Sequence, residues 1–196
     1  MADQITAKDE GVKFLPHPEG QYGARCVDVI DLGNRVEQYQ GKPPRVAHKC
    51  ALVFDAGEKN PENGEPHVVH VEFTVSMFER AGLRLFLESW RGRSYREDEA
   101  RDGVPLHKLE GAAALISVEH KESKGGRTYA KIKTISPLPK GMAPPELNGY
   151  KRAEFWAKKK EEYAAELAKA QPKKVDDDFR DFPEAPDAYD ESDLPF

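Results

Sequence analysis

Apolar and polar positions alternate along three early stretches of the chain. In "YGARCVDVIDL" (22–32), β-branched residues are mixed with alternation, and the inward set is open: Val27 and Val29, or Cys26 and Ile30. "RVAHKCALVFD" (45–55) puts Val46, His48, Cys50, Leu52 and Phe54 on one face. "HVVHVEFTV" (67–75) sets Val69, Val71, Phe73 and Val75 against Val68, His70, Glu72 and Thr74. A period of two is the mark of a strand with two unlike faces. Asn63-Gly64, between the second and third stretches, is a strong turn signal.

The period then lengthens. "SMFE" (76–79) has the spacing of a capping box and predicts a helix over about 77–91. Leu83, Phe86, Leu87 and Trp90 form its apolar stripe, and Gly92 is a natural stop. "SYRE" (94–97) predicts a second short helix ending near Gly103, and "PLHKL" (105–109) one further turn. Alternation returns in "AAALISVEH" (112–120) and "RTYAKIKTIS" (127–136), joined by "KESKGG" as a hairpin. "PLPKGMAPPE" (137–146) breaks regular structure. Over 147–171, Ala153, Trp156, Lys160, Tyr163, Leu167 and Ala170 recur at helical spacing, with Phe155 off the stripe. This seam suits a short coiled coil, docking on the body, or a solvated helix with one apolar edge.

The expected fold is therefore mainly β with α: three strands, a helix, then two strands. That is the order of a five-stranded Greek-key OB-fold barrel with its helix between strands 3 and 4. A generic α+β sandwich fits the same order. The expected units are an OB-like domain over 12–140, a Pro-rich linker and charged helix over 141–171, and a disordered acidic tail over 172–196.

Composition sharpens the last of these. Of 196 residues, 38% are hydrophobic and 33% charged, which is polar for a chain that packs throughout. The net charge of −5 hides a division. Residues 175–196 hold nine acids and one base (−8), which leaves 29 bases and 26 acids (+3) for the rest. No apolar run approaches the ~20 residues of a membrane span, and the N-terminus lacks a signal pattern, so a cytoplasmic protein is expected. Cys26 and Cys50 are expected as two buried thiols.

No catalytic constellation emerges. His67-x-x-His70 lies in a strand pattern, and there is no Cys-x-x-Cys, Walker lysine or Gly-x-Ser-x-Gly. A non-enzymatic protein without metal or cofactor is expected. Cations interleaved with aromatic rings are more informative. Tyr129, Lys131 and Lys133 share one face of the last strand. Lys121, Lys124 and Arg127 surround the hairpin before it. Arg91, Arg93 and Tyr95 follow the first helix, and Arg45 and Lys49 lie opposite Leu52 and Phe54. Arg25 is added to the set although the inward face of its stretch is open. Unpaired nucleic acid needs cations for its phosphates and flat rings for its bases. The plainer alternative makes the lysines solvated charges and Tyr129 the cover of a barrel end. Trp90, Phe54 and Phe73 read as core.

The chain ends "SDLPF" after "DDDFRDFPEAPDAYDE". This resembles single-stranded DNA-binding proteins of bacteria and many phages, which join an OB-fold to an acidic tail ending in aspartates, Pro and Phe. The segment "FLESWRGRSY…ISVEHKESKGGRTYAKIKTISPLPKGM", with a likeness over roughly 12–142, also resembles a family of small tailed-phage proteins encoded among replication functions. The resemblance implies a protein that coats single-stranded DNA in phage replication or recombination, in the host cytoplasm. It implies that Asp193, Leu194, Pro195 and Phe196 dock on replication or recombination partners. Neither monomer nor dimer is selected. An interaction adaptor with an OB-like body, or a barrel for RNA or duplex, are the alternatives.

Overall fold

The structure, a computed structural model, describes residues 15–38, 43–123, 125–147 and 149–170. Five strands form one antiparallel open sheet: β1 (Gly20–Glu37), β2 (Arg45–Lys59), β3 (Pro66–Thr74), β4 (Ala113–Glu122) and β5 (Thr128–Ser136), in the order β3-β2-β1-β4-β5. Three helices complete it: α1 (Gly82–Arg91), α2 (Glu97–Asp102) and α3 (Phe155–Lys169), with a 3-10 turn at Leu106–Leu109.

β1 organises the sheet. Its 18 residues would span about 60 Å if straight, too long for so small a body. Two irregularities bend it, between Cys26 and Asp28 and between Asp31 and Gly33. Its first part, Gly20–Arg25, pairs with β4, and Arg25–Glu37 pairs with β2. A bulge inserts one residue and so exchanges the two faces of the strand. Ala24 and Cys26 therefore enter one core, while Ile30 and Leu32 beyond the bulge enter another. The ambiguity of the inward set has a physical origin: neither set faces one core, since Cys26 and Val29 pack on the first core while Val27 and Ile30 pack on the second. At the second bulge Gly33 takes φ +73°, and its N–H donates to Asp31 Oδ1 at 2.8 Å.

The first core lies inside the curl of the sheet. Cys50, Leu52 and Phe54 of β2 meet Val69 of β3, Ile116 and Val118 of β4, and Ile132 and Ile135 of β5. An extra residue on β5, Lys133, opposite the step from Ser117 to Val118, lets Ile132 and Ile135 both face inward at a spacing of three. α1 closes this core with Leu83, Phe86, Leu87 and Trp90, the stripe read from the sequence. The Trp90 indole N–H donates to the Ala113 carbonyl at 2.8 Å.

The helix starts differ from expectation. α1 begins at Gly82, not at 77, and Ala81 is its N-cap. Ser76 Oγ instead accepts from the Phe78 N–H at 3.2 Å, a local turn bond that competes with helix capping. α2 begins one turn into "SYRE": Arg96 is the N-cap, and Glu99 Oε2 accepts its N–H at 3.1 Å. Gly92 stops α1 at φ +69°, and a Cβ there would lie 2.9 Å from the Pro137 ring. α3 begins at Phe155, not near 147.

α3 packs on the outer face of β1 and β2. Trp156 and Tyr163 bury against Ile30, Leu32, Ala51 and Val53. The seam read at Trp156 and Tyr163 is thus a docking edge on the chain's own sheet. A polar border reinforces it: Lys159 and Tyr163 both bond Glu72, Lys160 reaches Asp31 at 3.8 Å, and Glu166 reaches Arg35 at 3.5 Å. Burial first, and then the Glu72 carboxylate, push the Tyr163 hydroxyl up to about 12. Cys26 and Cys50 are free and buried, and burial raises both thiols.

Candidate nucleic-acid interface

β3 and β5 are the two edges of the sheet, and the curl brings them near each other without a hydrogen-bonded ladder between them. A cleft of about 1370 Å³ occupies the gap. Its walls are Val68–Glu72 of β3 and Tyr129–Lys131 of β5, and its roof is 149–155, the approach to α3. The β2–β3 turn and residues 15–17 close one end.

Two exposed rings stand in this cleft. Tyr129 is 41% exposed on β5, and Phe155 is 45% exposed at the start of α3. Phe155 leans on Trp156 with ring centroids 4.2 Å apart, and His70 meets Trp156 edge-on at 4.9 Å. One face of Phe155 is thus supported by protein. Lys131 and Lys151 also line the cleft, and neither is in an ion pair among the described residues. Exposed rings together with Lys131 and Lys151 suit unstacked bases and their phosphates, while Glu62, Glu65, Glu72 and Glu154 line the same cleft.

The roof is tied down by one buried acid. Asp28 is 4% exposed, on the outer face just beyond the first bulge. Its Oδ2 accepts from Tyr150 OH at 3.1 Å and from Arg152 Nε at 2.8 Å, and Arg152 Nη2 bonds Oδ1. The bond to Asp28 holds the Arg152 guanidinium above its usual pKa, and burial with the Asp28 charge raises Tyr150.

The closed end is built on histidine. His17 is 1% exposed, edge-on to Tyr22 at 4.7 Å and beside His67 at 5.1 Å. His67 Nε2 bonds the Leu15 carbonyl at 2.9 Å, and His120 Nε2 bonds that of His17 at 2.9 Å. Burial lowers the pKa of His17, and its Nε2 has no partner among the described residues. No group of three His, Cys, Asp or Glu side chains among the described residues is placed to hold a metal ion.

The expected cations divide into used and available groups. Arg25 donates to the carbonyls of Pro145 at 3.0 Å and Gly111 at 2.8 Å, pinning the segment after β5. Arg45 and Lys49 both bond Glu37, and Lys49 also donates to Thr74 Oγ1 at 2.8 Å. Burial opposes ionisation of Glu37, but those two bonds outweigh it and lower its pKa. Arg91 stacks over Tyr95 at 4.0 Å and reaches Glu99 at 3.4 Å, while Tyr95 packs on the first core. These five residues spend their polar or aromatic groups on the fold. Lys121 and Lys133 share Glu119, at 3.2 and 3.8 Å, with Lys131 opposite Glu119 in the ladder. Two cations thus pair with one acid along β4 and β5. Arg93 and Arg127 are exposed. Lys124 and the tail residues Asp193, Leu194, Pro195 and Phe196 lie outside the described residues.

Phe155, Lys151 and the Asp28 anchor were not on the sequence-derived list. Phe155 carried a signal, an aromatic residue off its own helical stripe. Lys151 carried none, because an isolated Lys in a polar segment has no distinguishing pattern.

Comparison with protein-family models, with curated proteins and with solved structures finds no match. Among the described residues, no helix is long and apolar enough to cross a membrane.

Proposed function

We propose that the chain is a sequence-independent, non-catalytic single-stranded DNA-binding protein of the phage type. In this reading it coats unpaired strands in replication or recombination, and its acidic tail recruits partners. The observation that carries the reading is the cleft between β3 and β5, where Tyr129 and Phe155 offer open faces beside Lys131 and Lys151. Bases stack on the two rings, and phosphates track the lysines of β5 and the roof. Binding of this kind tolerates every base, because each has a flat face.

The fold is read as an OB barrel. β1 is shared between β2 and β4, the first helix falls between β3 and β4, and the free edges of β3 and β5 face one another across the cleft. These features support the reading. Arg45, Lys49 and Arg91 serve the fold, so the cationic path is assigned to β5, its hairpin and Lys151.

One observation favours a second reading. Two unladdered strand edges facing a cleft also suit an extended peptide, which would make the body a protein-interaction adaptor of a replication complex. The deciding experiment titrates the full chain with oligo-dT, the matched RNA and a duplex at two salt concentrations. Tightest binding to oligo-dT, weakened by salt, is expected. Preference for RNA or duplex overturns the choice of ligand. Binding to none of the three leaves the adaptor.

A further inference from the structure

Asp28 is an expensive residue where it stands. It faces Val53 across the ladder, on the same sheet face that buries Ile30, Leu32 and Trp156. Apolar side chains fill that face elsewhere, and an aspartate among them loses its hydration. A buried ion pair seldom repays that loss: apolar replacements of similar volume are often neutral or stabilising. Stability therefore gives a weak account of this carboxylate.

Its partners point to another account. Among the described residues, the Asp28 side chain takes three hydrogen bonds from Tyr150 and Arg152. Between them lies Lys151, which lines the cleft, and three residues further on lies Phe155. The Arg152 side chain is 57% exposed, so the contact is a solvent-facing guanidinium gripping a buried acid. A planar guanidinium bonding both carboxylate oxygens fixes direction as well as distance. Residues 149–153 have no helix or strand of their own. What holds them in one place over the cleft is this anchor, together with the packing of Tyr150 on the second core and the start of α3.

We propose that Asp28 is a positioning residue for the cleft: it fixes 150–152 so that Lys151 and Phe155 face a strand lying between β3 and β5. The inference rests on reading the cleft as the nucleic-acid site. It assigns the first β1 bulge a functional consequence, since the bulge is what turns residue 28 to the outer face.

The test exploits the sign of the charge. Asp28→Asn removes a negative charge near the cleft and loosens Arg152. Electrostatics alone then predicts tighter binding of a phosphate backbone. Positioning predicts the reverse, weaker binding by about tenfold, the worth of roughly one stacked base. The measurement is fluorescence anisotropy of labelled oligo-dT with the full chain. Equal or tighter binding overturns the proposal. Tyr150→Phe deletes the hydroxyl's bonds to Asp28 and Trp156 without changing charge, and a smaller loss in the same direction is expected. It decides the matter should Asp28→Asn not fold, and unchanged affinity for it then overturns the proposal. A spin label at position 151, in a Lys151→Cys chain, gives a readout independent of the ligand. Its motion should increase in the Asp28→Asn background, and unchanged motion overturns the proposal. Failure of the underlying reading looks different: Phe155→Ala and Tyr129→Ala would then leave oligo-dT binding unchanged. Should those two weaken binding while Asp28→Asn does not, only the positioning role falls.

Discussion

Removing the two cleft rings tests the site most directly. Tyr129 is 41% exposed and Phe155 45%, so each ring is partly open to a ligand. One face of Phe155 is taken by Trp156 at 4.2 Å. Each ring can therefore hold one base, and a stacked base is worth about 1–3 kcal/mol. Tyr129→Ala or Phe155→Ala alone should weaken oligo-dT binding by about 5- to 150-fold. The double variant should approach the product if the rings hold different bases. It should fall well short if one base is clamped between them. Salt dependence separates this from charge. The slope of log affinity against log salt should be unchanged by the ring deletions, whereas Lys131→Ala should lower it by about 0.7, one phosphate contact on a single strand. Tyr129 is a surface position, so its loss should alter stability by no more than about 0.5 kcal/mol. Fluorescence anisotropy across a salt series, with thermal melts of the same samples, reads all of these. A double variant that melts normally and binds within about twofold of the native chain at every salt concentration refutes the cleft as the site.

Trp156→Ala should cost about 3–5 kcal/mol, because the residue is 3% exposed and anchors α3 on the sheet. A melting temperature unchanged by this substitution would show that α3 does not depend on that contact. Burial lowers the pKa of His17 from 6.5, with the bond to the Pro18 carbonyl and then Glu58 and Asp55 partly offsetting it, and raises Cys26 and Cys50 from 9.0 to about 12 and about 11. A depressed base weakens the fold as pH falls below 6.5, and raised thiols weaken it as pH climbs above 9.0, so the urea midpoint should plateau between. A midpoint that does not fall on acidification past 6.5 contradicts the burial of a neutral His17. Removing 176–196 takes away an excess of negative charge from a basic remainder and should tighten oligo-dT binding, most at low salt. Unchanged affinity across a salt titration ends the idea that the tail competes for the same surface.

Much of the fold was legible because its signals are periodic. The alternation in 45–55 and 67–75 survives as β2 and β3, and the stripe Leu83, Phe86, Leu87, Trp90 is the buried face of α1. The failures lie where one residue interrupts a period. The bulge beside Val27 exchanges the faces of β1, so no single alternating set could describe it. The extra residue Lys133 makes a spacing of three, Ile132 to Ile135, on a strand read with a spacing of two. The capping box at Ser76 failed because its hydroxyl instead accepts from the N–H two residues on, a local turn that competes with capping. Candidate cations were harder still. Glu37 is eight residues from Arg45 and twelve from Lys49, yet it bonds both across the β1–β2 hairpin. No local pattern separates a lysine so engaged from one left to a ligand.

The position of α3 constrains where a ligand can lie. An OB barrel commonly offers the outer face of strands 2 and 3, with the flanking loops, to its ligand. In this chain Trp156 and Tyr163 cover the outer face of β1 and β2, and Lys159 and Tyr163 close on Glu72 of β3. A strand laid across that face would have to displace a helix held by two buried rings and several ion pairs. The remaining route runs beside α3, not beneath it: through the gap from β3 to β5, under the 149–155 roof, and along Lys131 and Lys133. In the proposed reading, then, α3 acts as one bank of the channel. Phe155 stands at the brink because it is the first residue of that helix and turns away from the stripe that docks it. The same off-stripe placement that makes Phe155 a poor core residue makes it a ring available for stacking.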